Sequence, residues 1–569
     1  MPSITTVDQL LAAIKAGGTY DIAPGVYRLS SPRTLRRTVK LRAAGPGVVV
    51  SGGIEVGNWS DAGNGVLMAE VDLSEVETVR VGRKLYRQAR LPKPSTDDPG
   101  RSGWFGIGGS RPGSDYDQPD TTEFLPEDRD IGIERGMYAH IWAAVNWKDT
   151  RAEIVSVDRD GWLRASPSIT YNCGPDGYKR VGRFYLYNSR RFLTEPGEFF
   201  FDARKRRLYL IPDSEGEFAR LGHATVPATD YLLKITAPGC EIGGIAFRDA
   251  YDRYFQAAVM VEGDETLIEA CDFLGVTTAV SMLECRSSII RGCSVRDTFA
   301  GGIAVEGPNL VEGCYVARTS TRFRWKGGVS AGNGATVRHC RIEDSPRSAM
   351  TFGREDILIE FNELLWSNRE SADSGALYAE NQRQFNNRNI RIRHNHIHDT
   401  GGLERFLGGK YKGPPHSSWA IYLDEYTSGV EVYGNISDVT GHGFVFQHKG
   451  GRNIIRNNIS ARSNFVHVRC KHELGHPAET LVELNAGDPA GDRMYEISGG
   501  EPTIRDNCSL SAGMRPTDIE ADPKILRDGG GRITGLAPDS PLFARGFRPI
   551  PVERIGLRGS PHGWAGRVD

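Results

Sequence analysis

The stretch "IRGC" at residues 290–293 decides the fold, because the chain repeats it. One β-branched residue, two variable residues and then Cys or Asn recur as "IEAC" (268–271), "IRGC", "VEGC" (311–314), "VRHC" (337–340), "IEFN" (359–362), "IRHN" (392–395), "VYGN" (432–435), "IRNN" (455–458) and "IRDN" (504–507). Five of the successive spacings fall between 21 and 26 residues, and three are longer, at 33, 40 and 49. A unit of that length cannot bury its own apolar face, so it must stack on its neighbours, which is the logic of a solenoid. Cys and Asn at one position per coil then form ladders. Asn can hydrogen-bond its own kind above and below and tolerates a left-handed turn, while a free Cys packs as a small buried hydrophobe. The longer spacings read as coils carrying loop insertions. The fold expected is all-β: a right-handed parallel β-helix.

Outward from the ladder, the ends and an interruption become readable. "TVDQLLAAIKAGG" (6–18) has Leu10, Leu11 and Ile14 at helical spacing and ends in glycines, an amphipathic helix suited to cap the open end of the solenoid. The ladder is absent between Trp59 and about Ala224, where alternating strands such as "RAEIVSVD" (151–158) and "RRLYLIP" (206–212) predict an inserted β domain. The expected division is 1–58 for the cap and first coils and 59–224 for the insertion. The main β-helix then runs over 225–515, with a C-terminal wrap over 516–569.

Composition excludes several functions. Lys plus Arg number 70 and Asp plus Glu 72, a net charge of −2, which offers no electrostatic footprint for nucleic acid or an anionic membrane. No apolar run is long enough to span a bilayer. The first residues show no secretory signal, so the expected location is cytoplasmic, or periplasmic or secreted if a leader preceded them. The nine cysteines show no zinc spacing, no calcium loop is visible, and neither cofactor nor metal is expected. "HNHIHD" (394–399) is the one metal-like string; on a strand its three histidines would share a face with a ladder Asn between them.

Two stretches carry chemistry. "SADSGALYAEN" (371–381) and "WAIYLDEYTSG" (419–429) both hold Ala, then Leu or Ile, then Tyr, with Asp373, Glu380, Asp424 and Glu425 around the triplets. Adjacent coils lie about 4.8 Å apart. Glycosidic cleavage needs one carboxylic acid and one carboxylate, roughly 5–5.5 Å apart for retention and 6.5–9.5 Å for inversion. Aligning the two triplets stacks Asp424 over Glu380 and puts Asp373 at the preceding corner. Counting from the Asn ladder instead makes Asp373 and Asp424 equivalent, if 401–418 is a loop insertion. That loop offers Lys410, Tyr411, Lys412 and His416 to a sugar. "FQHKGGR" (446–452) offers Gln447, His448 and Lys449, and "HVRCKHELGH" (467–476) offers Arg469 beside His467, His472 and His476.

The order of pieces resembles bacterial β-helix glycosidases, most closely glycoside hydrolase family 141, with looser similarity to families 120 and 110. The matching pieces are "LYRQARLP" (85–92), "LTEPGEFFFDARKRRLYLIP" (193–212), "DSGALY" (373–378), "IYLDEYTSG" (421–429), "GGRNIIRNNI" (450–459) and "PDSPLFARGF" (538–547). The resemblance implies a hydrolase acting on a polysaccharide or oligosaccharide, with Asp373 and Asp424 as its two catalytic carboxylates. Ser374 stands where that family commonly has Gly, and Glu425 where it has a second Asp. A polysaccharide lyase or uronate epimerase using Lys410, Lys412, Arg469 or His448 is the alternative. A carbohydrate-binding surface protein, which would need exposed aromatic platforms, is the third.

Overall fold

The computed structural model describes residues 2–558 except 96–101, 112–120, 144–145, 171–172, 174–181, 214–215, 380–387, 404–405, 408–409, 412–416, 474–478 and 489–492; the side chains of 217, 406–407 and 410–411 are likewise not described. Three long parallel sheets run its length, with 14, 14 and 12 strands. The first contains Gly18–Ile22, Val39–Ala43 and then one strand per coil to Thr503–Arg505. The second begins at Gly25–Arg28 and the third at Arg33–Leu35. Each coil visits the three in turn, so the chain is the parallel β-helix expected from the ladder. No helix among the described residues is long and apolar enough to cross a membrane.

The ladder sits at the corner between the first and second sheets. Asn362 Nδ2 donates to Asn395 Oδ1 at 3.0 Å, Asn395 to Asn435 at 3.0 Å and Asn435 to Asn458 at 3.1 Å. Asn458 continues to Asn485, and Asn485 to Asn507, each at 2.9 Å. Each side chain also accepts from the backbone N–H of the preceding ladder residue. The polar corner of a dry core is thereby satisfied from coil to coil. Cys271, Cys293, Cys314 and Cys340 take the same position and direct their Sγ atoms at carbonyls of the previous coil, 3.6–3.9 Å away. Two details differ from the sequence reading. The left-handed residue is the one before the ladder, with φ of 52° at Ala270, 59° at Gly292 and 54° at His339. The 49-residue spacing is two coils, because "VELN" (482–485) is a further copy of the tag.

The helix Val7–Ala16 begins with a capping box between Thr6 and Gln9 and buries Leu10, Ala13 and Ile14 in the first coils. After Val48–Ser51 the chain leaves the solenoid, and it re-enters with Leu233–Ile235 paired directly to Arg33–Leu35. The excursion forms an eight-stranded sheet and a seven-stranded one. In the second of these, Arg183–Tyr187 also pairs with Tyr138–Trp142, closing six antiparallel strands into a small barrel. Phe124, Ile141, Ile154, Phe184 and Leu186 fill it. At the other end of the chain, the hairpin Ile525–Arg527/Ile533–Leu536 and the segment after it fold back along the second sheet. Ile533, Leu542, Phe547 and Ile550 there cover Phe361, Ile436 and Ile459.

Candidate active site

The third sheet carries the site. Ser374–Ala379 pairs with Ser418–Leu423, Leu377 opposite Ile421 and Tyr378 opposite Tyr422. Of the two registers the sequence allows, this is the one in which the triplets align. Asp373 therefore precedes one strand, while Asp424 follows its neighbour. Glu380, the residue that this register sets beside Asp424, lies outside the described residues.

Opposite ends of two strands would ordinarily lie far apart. Here the tyrosines bring them together. Tyr378 Oη donates to Asp424 Oδ2 at 2.8 Å. Tyr422 Oη donates to Asp373 Oδ1 at 3.3 Å, with the Asp424 carboxylate close by. The two rings meet edge to face, 5.5 Å between centres. This close approach depends on Gly375. A Cβ there would lie 2.6 Å from the Leu377 carbonyl oxygen and 2.9 Å from both the N and Cβ of Tyr422. Asp373 itself turns the corner in the left-handed region, with φ of 52°, which Asp adopts more readily than most residues.

One coil further on, Tyr422 pairs with Phe446 and Leu423 with Gln447, so His448 is the neighbour of Asp424. His448 Nδ1 donates to Asp424 Oδ1 at 2.7 Å, and the Glu425 backbone N–H donates to the same oxygen at 2.8 Å. Burial pushes the Asp424 carboxyl up, but His448, Tyr378 and the Glu425 N–H outweigh it and hold it below the usual carboxylate range. Burial and the nearby Asp424 and Asp373 push both tyrosine hydroxyls well above theirs, so both stay protonated donors.

The other sequence candidates divide. Glu425 pairs with Lys449 at 3.1 Å and serves Asp424 through its backbone. Arg469 shares the outer face, its guanidinium 4.7 Å from the Phe446 ring centre and 3.2 Å from Glu496. Gln447 is corrected: it is buried inside the solenoid, donating to the Gly450 carbonyl and accepting from Asn453 and Thr480. Consecutive strand residues face opposite ways, so Gln447 and His448 cannot both line a groove. His467 is likewise interior, bound to Ser460 Oγ and the Asp488 carbonyl, and His472 is buried beside Gln447. Lys410 and Tyr411 belong to a short hairpin with Phe406–Leu407, their side chains not described. Lys412, His416 and His476 lie outside the described residues.

Sequence reading missed the partners that the inserted barrel supplies. Asn146 accepts the Ala372 backbone N–H through its carbonyl at 3.2 Å and donates to the Leu403 carbonyl at 2.6 Å. Buried Arg183 binds both Asn146 and the Glu370 carbonyl, and Glu370 pairs with Arg324. Arg347 donates to the Trp147 carbonyl and lies 5.1 Å from the Tyr378 ring centre. The barrel thus braces the corner that carries Asp373. Asp424, Glu425 and His448 also bring possible metal-ligand atoms within 4.8 Å of one another.

No protein-family model matches this chain, and no curated protein matches it. Among solved structures it is similar to a glycoside hydrolase over 98% of this chain and 96% of that one, with 15% identity and a TM-score of 0.59. It is also similar to the PL6 family alginate lyase AlyGC, at 12% identity over 57% and 52% of the two chains with a TM-score of 0.39. A third similarity is to the catalytic unit of the thermostable GH87 alpha-1,3-glucanase from Streptomyces thermodiastaticus strain HF3-3. There identity is 10%, coverage 82% and 96%, and TM-score 0.34. At 15% identity the first likeness speaks for architecture alone, and the two lower-scoring ones add nothing to it: this chain has the parallel β-helix fold.

Proposed function

We propose that the protein is a glycoside hydrolase in which Asp373 and Asp424 act as a pair, by retention, on a polysaccharide or an oligosaccharide derived from one. The observation that carries this reading is the crossed pair of tyrosines, Tyr378 donating to Asp424 and Tyr422 to Asp373 with their rings in contact, which draws the two carboxylates to one place. The strands that carry them are direct neighbours, and neighbouring strands lie about 4.8 Å apart. That lies nearer the ~5–5.5 Å spacing of retaining enzymes than the ~6.5–9.5 Å of inverting ones. Asp424, held ionised, suits the nucleophile: it attacks the anomeric carbon as Asp373 gives its proton to the departing oxygen. Water, deprotonated by Asp373, then displaces Asp424. The motif resemblance to glycoside hydrolase family 141 supports the same pair.

One observation favours a lyase instead: Arg347 beside Tyr378 could neutralise a uronate carboxylate. Against it, burial and the two aspartates keep both phenols protonated, which disfavours either as a proton-abstracting base. The binding-protein reading fares worse, since Trp419, Tyr422 and Phe446 are buried rather than displayed. Digestion of glycans in heavy-oxygen water separates the chemistries. Hydrolysis places one solvent oxygen at each new reducing end, and nuclear magnetic resonance of the first-formed anomer reads retention. Products without solvent oxygen would refute the hydrolase.

A further inference from the structure

Away from the Asp373/Asp424 site, the second sheet holds an arrangement, built partly from "HNHIHD", that the proposed reaction does not use. Glu363–Leu365 and His396–His398 are adjacent strands, Glu363 opposite His396 and Leu365 opposite His398. Leu364 and Ile397 point into the core, so Glu363, His396 and His398 all project from the outer face. Their possible ligand atoms lie within 4.8 Å of one another. We propose that these three residues form a site for one divalent transition-metal ion of the zinc type, enclosed beneath the C-terminal wrap.

His396 carries the argument. It is only 4% exposed, yet neither ring nitrogen has a hydrogen-bond partner among the described residues. Buried polar groups are nearly always paired, and an imidazole unpaired at both nitrogens calls for an ion or a water. His398 is prepared in the way metal-binding histidines are. Its Nδ1 donates to Asp399 Oδ2 at 2.7 Å, which leaves Nε2 facing Glu363 Oε1 at 3.9 Å. Glu363 in turn receives Arg341 on Oε2 at 2.9 Å, so Oε1 is the oxygen turned to the histidines.

Two imidazoles and one carboxylate suit zinc and its neighbours, whereas calcium and magnesium take oxygen ligands. Tetrahedral bonds of about 2.0–2.1 Å would draw the ligand atoms in to roughly 3.4 Å apart, with the fourth position left to water. Arg532, from the wrap, is the competitor. Its Nη2 lies 3.7 Å from Glu363 Oε1, buried and without a hydrogen bond among the described residues. An ion would take over that oxygen and release the guanidinium. The covering is continuous: Ile436, next in register after His396, packs in the cluster with Ile533, and the Gly556 N–H donates to the Phe361 carbonyl at 2.8 Å.

The test uses the full chain, stripped with chelator and titrated with zinc, then with cobalt(II) as a spectroscopic probe. The expected result is one equivalent bound, a tetrahedral cobalt spectrum, and a melting temperature that rises with zinc. His396→Gln and His398→Gln should each lose that equivalent. Asp399→Asn, which keeps all three ligands, should weaken binding about 10–100-fold. Melting in chelator identifies any variant that has merely misfolded. Absence of a bound equivalent in the wild type would overturn the proposal. So would an ion that survives His396→Gln but is lost in His448→Gln, because that ion would sit at Asp424, Glu425 and His448.

Discussion

Gly375→Ala tests whether the tyrosine contacts build the site. The added methyl would meet the Leu377 carbonyl oxygen at 2.6 Å and the N and Cβ of Tyr422 at 2.9 Å, about 0.5 to 0.8 Å inside ordinary contact. Most of these are backbone atoms of two paired strands, so no flexible side chain can give way. Either Leu377 or Tyr422 must move. Overpacking of this kind typically destabilises by about 1–3 kcal/mol. The same shift carries the Tyr422 hydroxyl off Asp373, and a ~1 Å misplacement at a catalytic pair can lower the rate about 100-fold. The urea midpoint and the turnover of a glycan substrate should therefore fall together. Gly529→Ala is the control, an exposed position where a Cβ would meet nothing within 4 Å. A Gly375→Ala protein as stable and as active as wild type would refute the idea that close approach at Gly375 assembles the carboxylates.

Other outcomes follow from the same geometry. His448→Ala removes a hydrogen bond that holds Asp424 ionised, so the acid limb of kcat/KM should move to higher pH. In the wild type, Asp424 contributes stability above the ordinary unfolded value of about 3.9, lost only as pH falls through its depressed folded value. His448→Ala should begin losing that contribution at higher pH, read by acid unfolding. Asn435→Ala strips the acceptor from the Asn395 backbone N–H and a donor from the Ile392 carbonyl, both buried. Two such orphans should destabilise by about 2–5 kcal/mol in urea unfolding. All nine cysteines are free and buried, so a thiol reagent should find essentially none in the native protein and nine in denaturant.

The fold was legible because its signal repeats once per coil. Cys271 through Asn507 share a tag whose chemical reason, a buried corner needing satisfaction every turn, is local. Asn485 carries the same tag in "VELN", with Leu484 as its third residue, so the longest gap is two coils rather than an insertion. Closure of the barrel was not legible, because pairing of Arg183–Tyr187 with Tyr138–Trp142 is decided by packing across 40 residues and more. At the site, the alignment of "ALY" with "AIY" is one of two registers the sequence allows, and the meeting of Asp373 with Tyr422 rests on the space left by Gly375. Gln447 could have been set aside from alternation alone. His448 is legible only as a groove residue; that its neighbour is Asp424, and that it turns toward that carboxylate, follows from the next coil's register. The buried supports from Asn146 and Arg183 carry no motif at all.

The most direct test of the central claim compares wild type with Asp373→Asn and Asp424→Asn on a panel of glycans, following product mass and the ultraviolet absorbance of unsaturated uronates. Both substitutions keep shape and remove only a carboxylate. Wild-type products should each be heavier by one water, and either substitution should abolish them while the folded protein persists. Unsaturated products without added water, formed equally by all three proteins, would contradict the paired-carboxylate account.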